Sequence, residues 1–347
     1  MNRQRPVLGI TMGDPCGIGP EITAKALAKE EIYECCRPLV VGSAKVLENA
    51  IRIVGKNLKV NAVSEPSEAR FEYGTIDIID QDIVDMDALT FGKVSVQGGR
   101  AAFKAVEKVI QLAMDKKIDA TITGPLNKEA MNLAGYHYSG HTEIYADLTN
   151  TKDYCMMLAD GNLRVVHTTT HVSLKEACSR CTEERVYKVI RLANDVCIRL
   201  GIEKPRVAVA GLNPHAGENG LFGREEIEEI TPAVERAKQE GILADGPIAP
   251  DTVFSKAIGG QYDIVVAQYH DQGHIPIKVS GFQYDYRTNV WKAVSGVNIT
   301  LGLPIIRSSV DHGTAFGKAG KGTANEESMV NAIYYGAKLA EERGTEE

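Results

Sequence analysis

DIVVAQYH, residues 263–270, is a short apolar run rich in β-branched residues that halts at a polar end carrying a histidine. LRVVHTTTH at 163–171 and VAVAGLNPH at 207–215 repeat the arrangement. Each reads as a buried strand whose last residues open onto Gly, Asp, Asn, Thr and His, and open α/β sheets keep their chemistry at such strand ends. Neutral imidazole is the commonest protein ligand for zinc and related ions, so His171, His215 and His270 are candidates to share one divalent cation. Taken singly, each also reads as a satisfied core or loop histidine.

Working outward, further apolar runs stand near 7–12, 38–43, 75–80, 119–123, 154–159, 163–169, 206–212, 263–268 and 305–310. Segments of helical period lie between them at 20–29, 99–116, 127–134, 183–201, 225–241 and 325–342, with Pro20 suited by its fixed φ to begin the first. Strands alternating with helices predict an α/β fold built on parallel sheet with helices on its faces. The 347 residues and 44% hydrophobic content supply core for two domains. FQYDYRTNVWKAVS, 282–295, follows neither period and reads as an ordered loop or short hairpin over the site, or as a partner-binding loop.

A net charge of −7 without a basic cluster disfavours nucleic acid as a partner. No stretch reaches the roughly 20 apolar residues of a membrane helix, and the N-terminus lacks a signal peptide's apolar core, so a soluble cytoplasmic protein is expected. The seven cysteines are odd in number and irregularly spaced, which suits free thiols in a reducing compartment. Cys178 and Cys181 form a CxxC inside a helical pattern with no second pair nearby to complete a zinc site.

GDPCGIGPEI, 13–22, is a glycine-rich strand-to-helix turn that does not match GxGxxG and so gives no support to a Rossmann dinucleotide site. GHTE at 140–143 sets an imidazole, His141, beside a hydroxyl, Thr142, a pair suited to a phosphate or carboxylate oxygen or to capping a helix. Lys278 lies one strand-length beyond His270, and Asn298 and Arg307 flank NITLGLP; together they form a candidate phosphate grip. SVDHGTAFGKAGKGTANEESM, 309–329, gathers His312, Gly313, Thr314, Gly317, Gly320 and Asn325 into one loop, either a nucleotide loop or a mobile solvent loop.

These stretches in order, TMGDPCGIGPEI, GPLNKEAM, GHTE, TTHVSL, NPHAGENG, PDTVF, YHDQG, KVSGF and GVNITLGLPIIRSSVDHGT, resemble the 4-hydroxythreonine-4-phosphate dehydrogenase (PdxA) family across almost the whole chain. The first and last also look like GDGIGPE and HGSAPDIAGKGIANP of isocitrate and isopropylmalate dehydrogenases. The resemblance implies two α/β/α domains of that architecture with the site in the cleft between them, here 1–135 plus 303–347 and 136–302. It implies a homodimer whose shared metal site (zinc, cobalt, nickel, manganese or magnesium) uses His171, His215 and His270. Substrate contacts fall on His141, Thr142, Lys278, Asn298 and Arg307. His312, Gly313, Thr314, Gly317, Gly320 and Asn325 fall to NAD or NADP. Asp251 in PDTVF is a further site residue, and Lys278 or Asp251 is placed to move the proton.

The reaction implied is oxidation at C3 of a 4-phosphorylated C4 hydroxy acid, with hydride passing to NAD and the β-keto acid losing carbon dioxide. NPHAGENGLFG and YHDQGHIPIK resemble the branch acting on 4-phospho-D-threonate or 4-phospho-D-erythronate more than the vitamin B6 branch acting on 4-phosphohydroxy-L-threonine. A metal-dependent aldolase or hydrolase working without a nucleotide, and a silent binding protein, are the competing readings from other classes.

Overall fold

The structure, a computed structural model, describes residues 5–287 and 290–343. The chain divides into two compact units, one running to Lys152 and resuming at Leu303, the other Asp153–Gly302. The seam therefore lies after 152, not after the expected 135. Helix His141–Leu148 decides this, because Ile144 and Tyr145 are fully buried among Phe103, Val106, Met131 and Ile305 of the first unit.

The first unit holds six parallel strands in the order Lys59–Val63, Thr75–Asp80, Arg37–Gly42, Val7–Thr11, Ala120–Thr123, Ile306–Val310. From Val7–Thr11 the chain first builds to one side and then crosses to Ala120–Thr123 on the other, which makes this pair the topological switch point. Ligands of open α/β sheets bind outside the carboxyl ends of strands at such a place. Thr11 pairs with Thr123 and Thr123 with Ser309, so the loops beginning at 12, 124 and 311 leave the same edge. Helix Val96–Met114 covers the sheet with an Ala-rich face, started by Ser95, whose hydroxyl accepts from Gly98 N at 3.0 Å.

The second unit orders its strands Val297–Leu301, Cys155–Asp160, Leu163–His167, Ile264–Ala267, Arg206–Ala210, Leu243–Ile248. The parallel sheet has one exception here. Cys155–Asp160 runs antiparallel to both neighbours, because a two-residue turn with Gly161 at φ 54° folds it directly onto Leu163–His167. Leu163–His167, Ile264–Ala267, Arg206–Ala210 and Leu243–Ile248 pair in parallel, and three that neighbour one another, ending at His167, Ala267 and Ala210, lead into the segments bearing His171, His270 and His215. Their core joins Leu158, Val165, Ala208, Val253, Val265 and Ile277.

Three strands went unread in the sequence: Lys59–Val63, Leu243–Ile248 and Val297–Leu301. The helices Glu30–Cys35, Ala44–Val54, Pro250–Ile258 and His270–Gly281 also went unread. Segment 282–295 forms a hairpin, Phe282–Asp285 antiparallel to Val290–Val294, with positions 288 and 289 outside the described residues. All seven cysteines, including Cys178 and Cys181, are free. Among the described residues no helix is long and apolar enough to cross a membrane.

Candidate active site

In the second unit His171 and His270 line an open cavity of about 320 Å³ with Thr169, Thr170, Tyr269 and Asp271. Their ring centroids are 5.9 Å apart. His171 takes φ 45°, a left-handed conformation uncommon for any residue but glycine. His270 opens helix His270–Gly281, and its Nδ1 lies 2.6 Å from the Asp271 carboxylate. A carboxylate on one ring nitrogen of His270 leaves the other for a ligand, and His171 adds a second imidazole, the donor type that zinc and its neighbours take.

His215 stands apart. It is exposed, and its ring lies 6.2 Å from that of Phe222. Five consecutive residues, His215 to Asn219, have φ between 43° and 77°, although only Gly217 is a glycine. The segment leading into this run is held by a residue that the sequence motifs do not mark, Glu226, only 3% exposed. One of its oxygens accepts from Leu212 N at 2.8 Å and Asn213 N at 2.7 Å, while the other accepts from Asn213 Nδ2 at 3.0 Å. Among the described residues of this single chain, no group of three or more His, Cys, Asp or Glu is gathered to hold a metal ion. The chain by itself thus supplies His171 and His270 as a pair of donors that fits part of a divalent cation's shell.

The spacing of Lys278 from His270 is helical, not extended: His270, His274 and Lys278 follow at intervals of four along His270–Gly281 and share one face. His274 and His167 were not singled out in the sequence, yet His274 stacks on His270 at 3.6 Å and approaches His167 Nε2 at 3.1 Å. Burial, reinforced by neighbouring rings, pulls His167 down to about 3 and His274 down to about 4, so both are neutral at physiological pH. Lys278 Nζ sits 4.0 Å over the Phe282 ring. Asn298 is half-buried on Val297–Leu301, opposite Leu158, and Asp251 is exposed in the first turn of Pro250–Ile258.

The first unit brings His141, Thr142 and Arg307 together. His141 and Thr142 open helix His141–Leu148, whose leading amides and positive dipole end favour an anion. Arg307 is 2% exposed; its Nη2 donates to Thr123 Oγ1 at 3.1 Å, and its guanidinium lies 5.7 Å from the centre of the Tyr145 ring. Burial draws Arg307 down to about 10, which leaves it a cation at neutral pH. Burial first, and then the Arg307 charge, holds His141 well below the usual histidine range. Its Nε2 is buried without a hydrogen-bond partner among the described residues.

Loop 311–326 is divided in its loyalties. Glu21, 2% exposed in helix Gly19–Ala26, accepts from Gly320 N at 2.6 Å and Gly322 N at 2.7 Å. Lys25 Nζ donates to Ala324 O at 2.6 Å, Thr314 O accepts from Ile18 N at 3.0 Å, and Asn325 Oδ1 accepts from Glu327 N at 2.7 Å. Gly320, Thr314 and Asn325 thus hold the loop in place. Gly313 and Gly317 face open space where backbone can approach a ligand, and His312 Nδ1 rests 3.0 Å from Gly313 O.

Residues 34–336 match the family model described as pyridoxal phosphate biosynthetic protein PdxA. D-threonate 4-phosphate dehydrogenase of Cupriavidus necator is 49% identical over 344 residues, 99% of this chain and 100% of that one. The crystal structure of a 4-hydroxythreonine-4-phosphate dehydrogenase from Burkholderia phymatum superposes with a TM-score of 0.82 at 47% identity, covering 97% and 99% of the two chains. A β-decarboxylating dehydrogenase of Thermococcus kodakarensis, 14% identical with a TM-score of 0.51 and covering 98% and 84%, shares the fold alone.

Proposed function

Because this chain belongs to the PdxA family and is a dehydrogenase acting on a CH–OH group, we propose that it oxidises C3 of 4-phospho-D-threonate or 4-phospho-D-erythronate. The C3 hydrogen leaves as hydride to NAD or NADP, the hydroxyl proton leaves to a base, and the resulting β-keto acid loses carbon dioxide to give dihydroxyacetone phosphate. The observation that carries this reading is the buried Arg307 cation beside the unpartnered His141 Nε2 at a helix start, in a chain of net charge −7. Such a site suits a phosphate group: Arg307 offers a planar fork of donors, His141 a ring nitrogen, and Thr142 a hydroxyl and an amide.

His171 and His270 would hold a divalent cation, with the donor set completed by His215 in a homodimer. When bound, the cation would draw electron density from the alcohol oxygen and the nicotinamide would take the hydride. Lys278, on the helix face of His270, is the residue we assign to proton movement, with Asn298 orienting substrate and Asp251 contributing at longer range. His312, Gly313 and Gly317 are the loop positions we assign to the nucleotide. The aldolase and hydrolase readings give way to family membership, and free thiols accord with a cytoplasmic setting.

Steady-state turnover of 4-phospho-D-threonate, 4-phospho-D-erythronate and 4-phosphohydroxy-L-threonine with each nucleotide tests the proposal. The first or second acid is expected to give the highest kcat/KM, chelation to abolish turnover, and Arg307→Lys to raise KM far more than it lowers kcat. Preference for the amino acid substrate would move the protein to the other branch, and absence of nucleotide reduction with all three would end the reading.

A further inference from the structure

Two carbonyls and one carboxylate determine where the protons sit on three neighbouring imidazoles. His167 Nδ1 is 3.3 Å from Met156 O, and a carbonyl only accepts, so the Nδ1 of His167 carries hydrogen. His274 Nδ1 is 2.9 Å from His270 O and must carry hydrogen for the same reason. That N–H also faces His167 Nε2 at 3.1 Å; two N–H groups cannot point at each other, so His167 Nε2 is a bare lone pair. His270 Nδ1, 2.6 Å from Asp271 Oδ1, carries hydrogen as well. All three rings are protonated at Nδ1, the form that free histidine in water disfavours.

Packing makes the arrangement rigid. His167 is 1% exposed at the end of its strand, and the helix bearing His270 and His274 reaches it only because position 273 is glycine. A Cβ there would stand 2.3 Å from His167 Nε2 and 2.8 Å from Val165 Cγ1. His274, fixed by His167 on one side, lies flat against His270 on the other, with ring centroids 3.6 Å apart and planes 12° from parallel. Once its plane is set by His274 and its Nδ1 by Asp271, the His270 ring has one nitrogen, Nε2, left for a ligand.

We infer that His167 and His274 are positioning residues that hold the His270 ring, by a one-directional chain of N–H groups and a ring stack, with the His270 Nε2 lone pair ready for a divalent cation. The last clause rests on the functional reading above; the proton positions and the stack do not. Outer partners of this kind tune a ligand's orientation, and their loss weakens metal binding by about 10- to 100-fold.

Nitrogen-15 imidazole spectra of the full-length protein without added metal test the chain of protons directly. Nδ1–H at His167, His274 and His270 is expected; Nε2–H at His167 or His274 overturns the inference. His167→Phe keeps the ring's bulk and removes the acceptor, whereas His167→Gln restores an oxygen near the Nε2 position. Titration with Co²⁺, read by its visible absorption, is expected to show affinity lowered about 10- to 100-fold in His167→Phe and regained to within about threefold of the parent in His167→Gln. A His167→Phe protein with unchanged circular dichroism and parental Co²⁺ affinity refutes the positioning role. Should His167→Phe not fold, His274→Phe, which keeps a stacking ring but loses the N–H, takes its place with the same expectation. If the parent itself binds no Co²⁺, the cation reading falls, and the nitrogen spectra still decide whether the chain exists.

Discussion

Replacing Glu21 by Gln should release the glycine loop from the first helix without disturbing the second unit. The buried carboxylate accepts one amide on each oxygen, Gly320 N at 2.6 Å and Gly322 N at 2.7 Å, across 299 and 301 residues of chain. Hydrogen bonds to a charged acceptor each contribute roughly 1.5–3 kcal/mol, and neutral ones about 0.5–1.5. Gln keeps one neutral acceptor and turns an NH₂ toward the other amide, so one charged bond is lost and the second weakened. Both glycines are half-buried, and water recovers part of the loss once the loop lifts, leaving a net cost of about 2–4 kcal/mol. Local opening of the loop should then become about 30- to 1000-fold more populated. Amide hydrogen exchange reads this at Gly320 and Gly322, with the amides of Ile264–Ala267 as the internal control expected to hold their protection. If the loop is the nucleotide site, KM for the nucleotide rises in step while kcat changes little. Unchanged exchange at the two glycines would show that Glu21 does not carry the loop, and the reasoning from its two short bonds would fail.

Asp14 should make stability fall with rising pH. It is fully buried, and desolvation raises it from 3.8 to about 6 against the opposing hydrogen bond from Cys16 N at 2.8 Å. Its folded value exceeds its unfolded one, so its contribution is complete below pH 3.8 and disappears as pH rises through about 6. That amounts to roughly 3 kcal/mol between the two limits. Urea unfolding at pH 4 and pH 7.5 should therefore show Asp14→Asn gaining on the parent by about 2–3 kcal/mol as pH rises, and a pH-independent difference would contradict it. Gly99→Ala should cost more than the usual 1–3 kcal/mol of an overpacked site, since its Cβ would lie 2.0 Å from the backbone oxygen of Ala130 where helix Val96–Met114 crosses Lys128–Leu133. A melting temperature within a degree or two of the parent would mean that the two helices separate freely there.

What could be read from the sequence, and what could not, divides along the range of the interactions. Val7–Thr11, Arg37–Gly42, Ala120–Thr123 and Ile264–Ala267 are almost wholly buried, and a strand covered on both faces must be written as an unbroken apolar run. Lys59–Val63 and Leu243–Ile248 lie at the ends of their strand orders, keep much of their surface exposed, and so lack that signature. Helix His270–Gly281 was hidden by local chemistry, since Pro276 and the glycines at 273 and 281 all argue against a helix. Its reason for existing is tertiary, because Gly273 lets it settle on His167, and that contact is invisible in any window around residue 270.

The candidate site shows the same division. His171, His215 and His270 were visible because polar residues at strand ends are exceptional locally. Arg307 and His141 were visible as donors suited to an anion, and the motifs of a known family assigned them to substrate. The residues that hold the surrounding segments in place are polar groups set into the fold, Glu21, Glu226 and His167 buried and His274 partly so. Glu21 meets amides 299 and 301 residues away, and His167 meets His274 across 107. Burying a polar group is costly unless a partner is supplied, so each of these implies a specific distant partner, but the sequence records only the demand and not who meets it. Candidate ligand groups can therefore be recognised one at a time, whereas the groups packed behind them are recognisable only as pairs, and pairs exist only once the chain has folded.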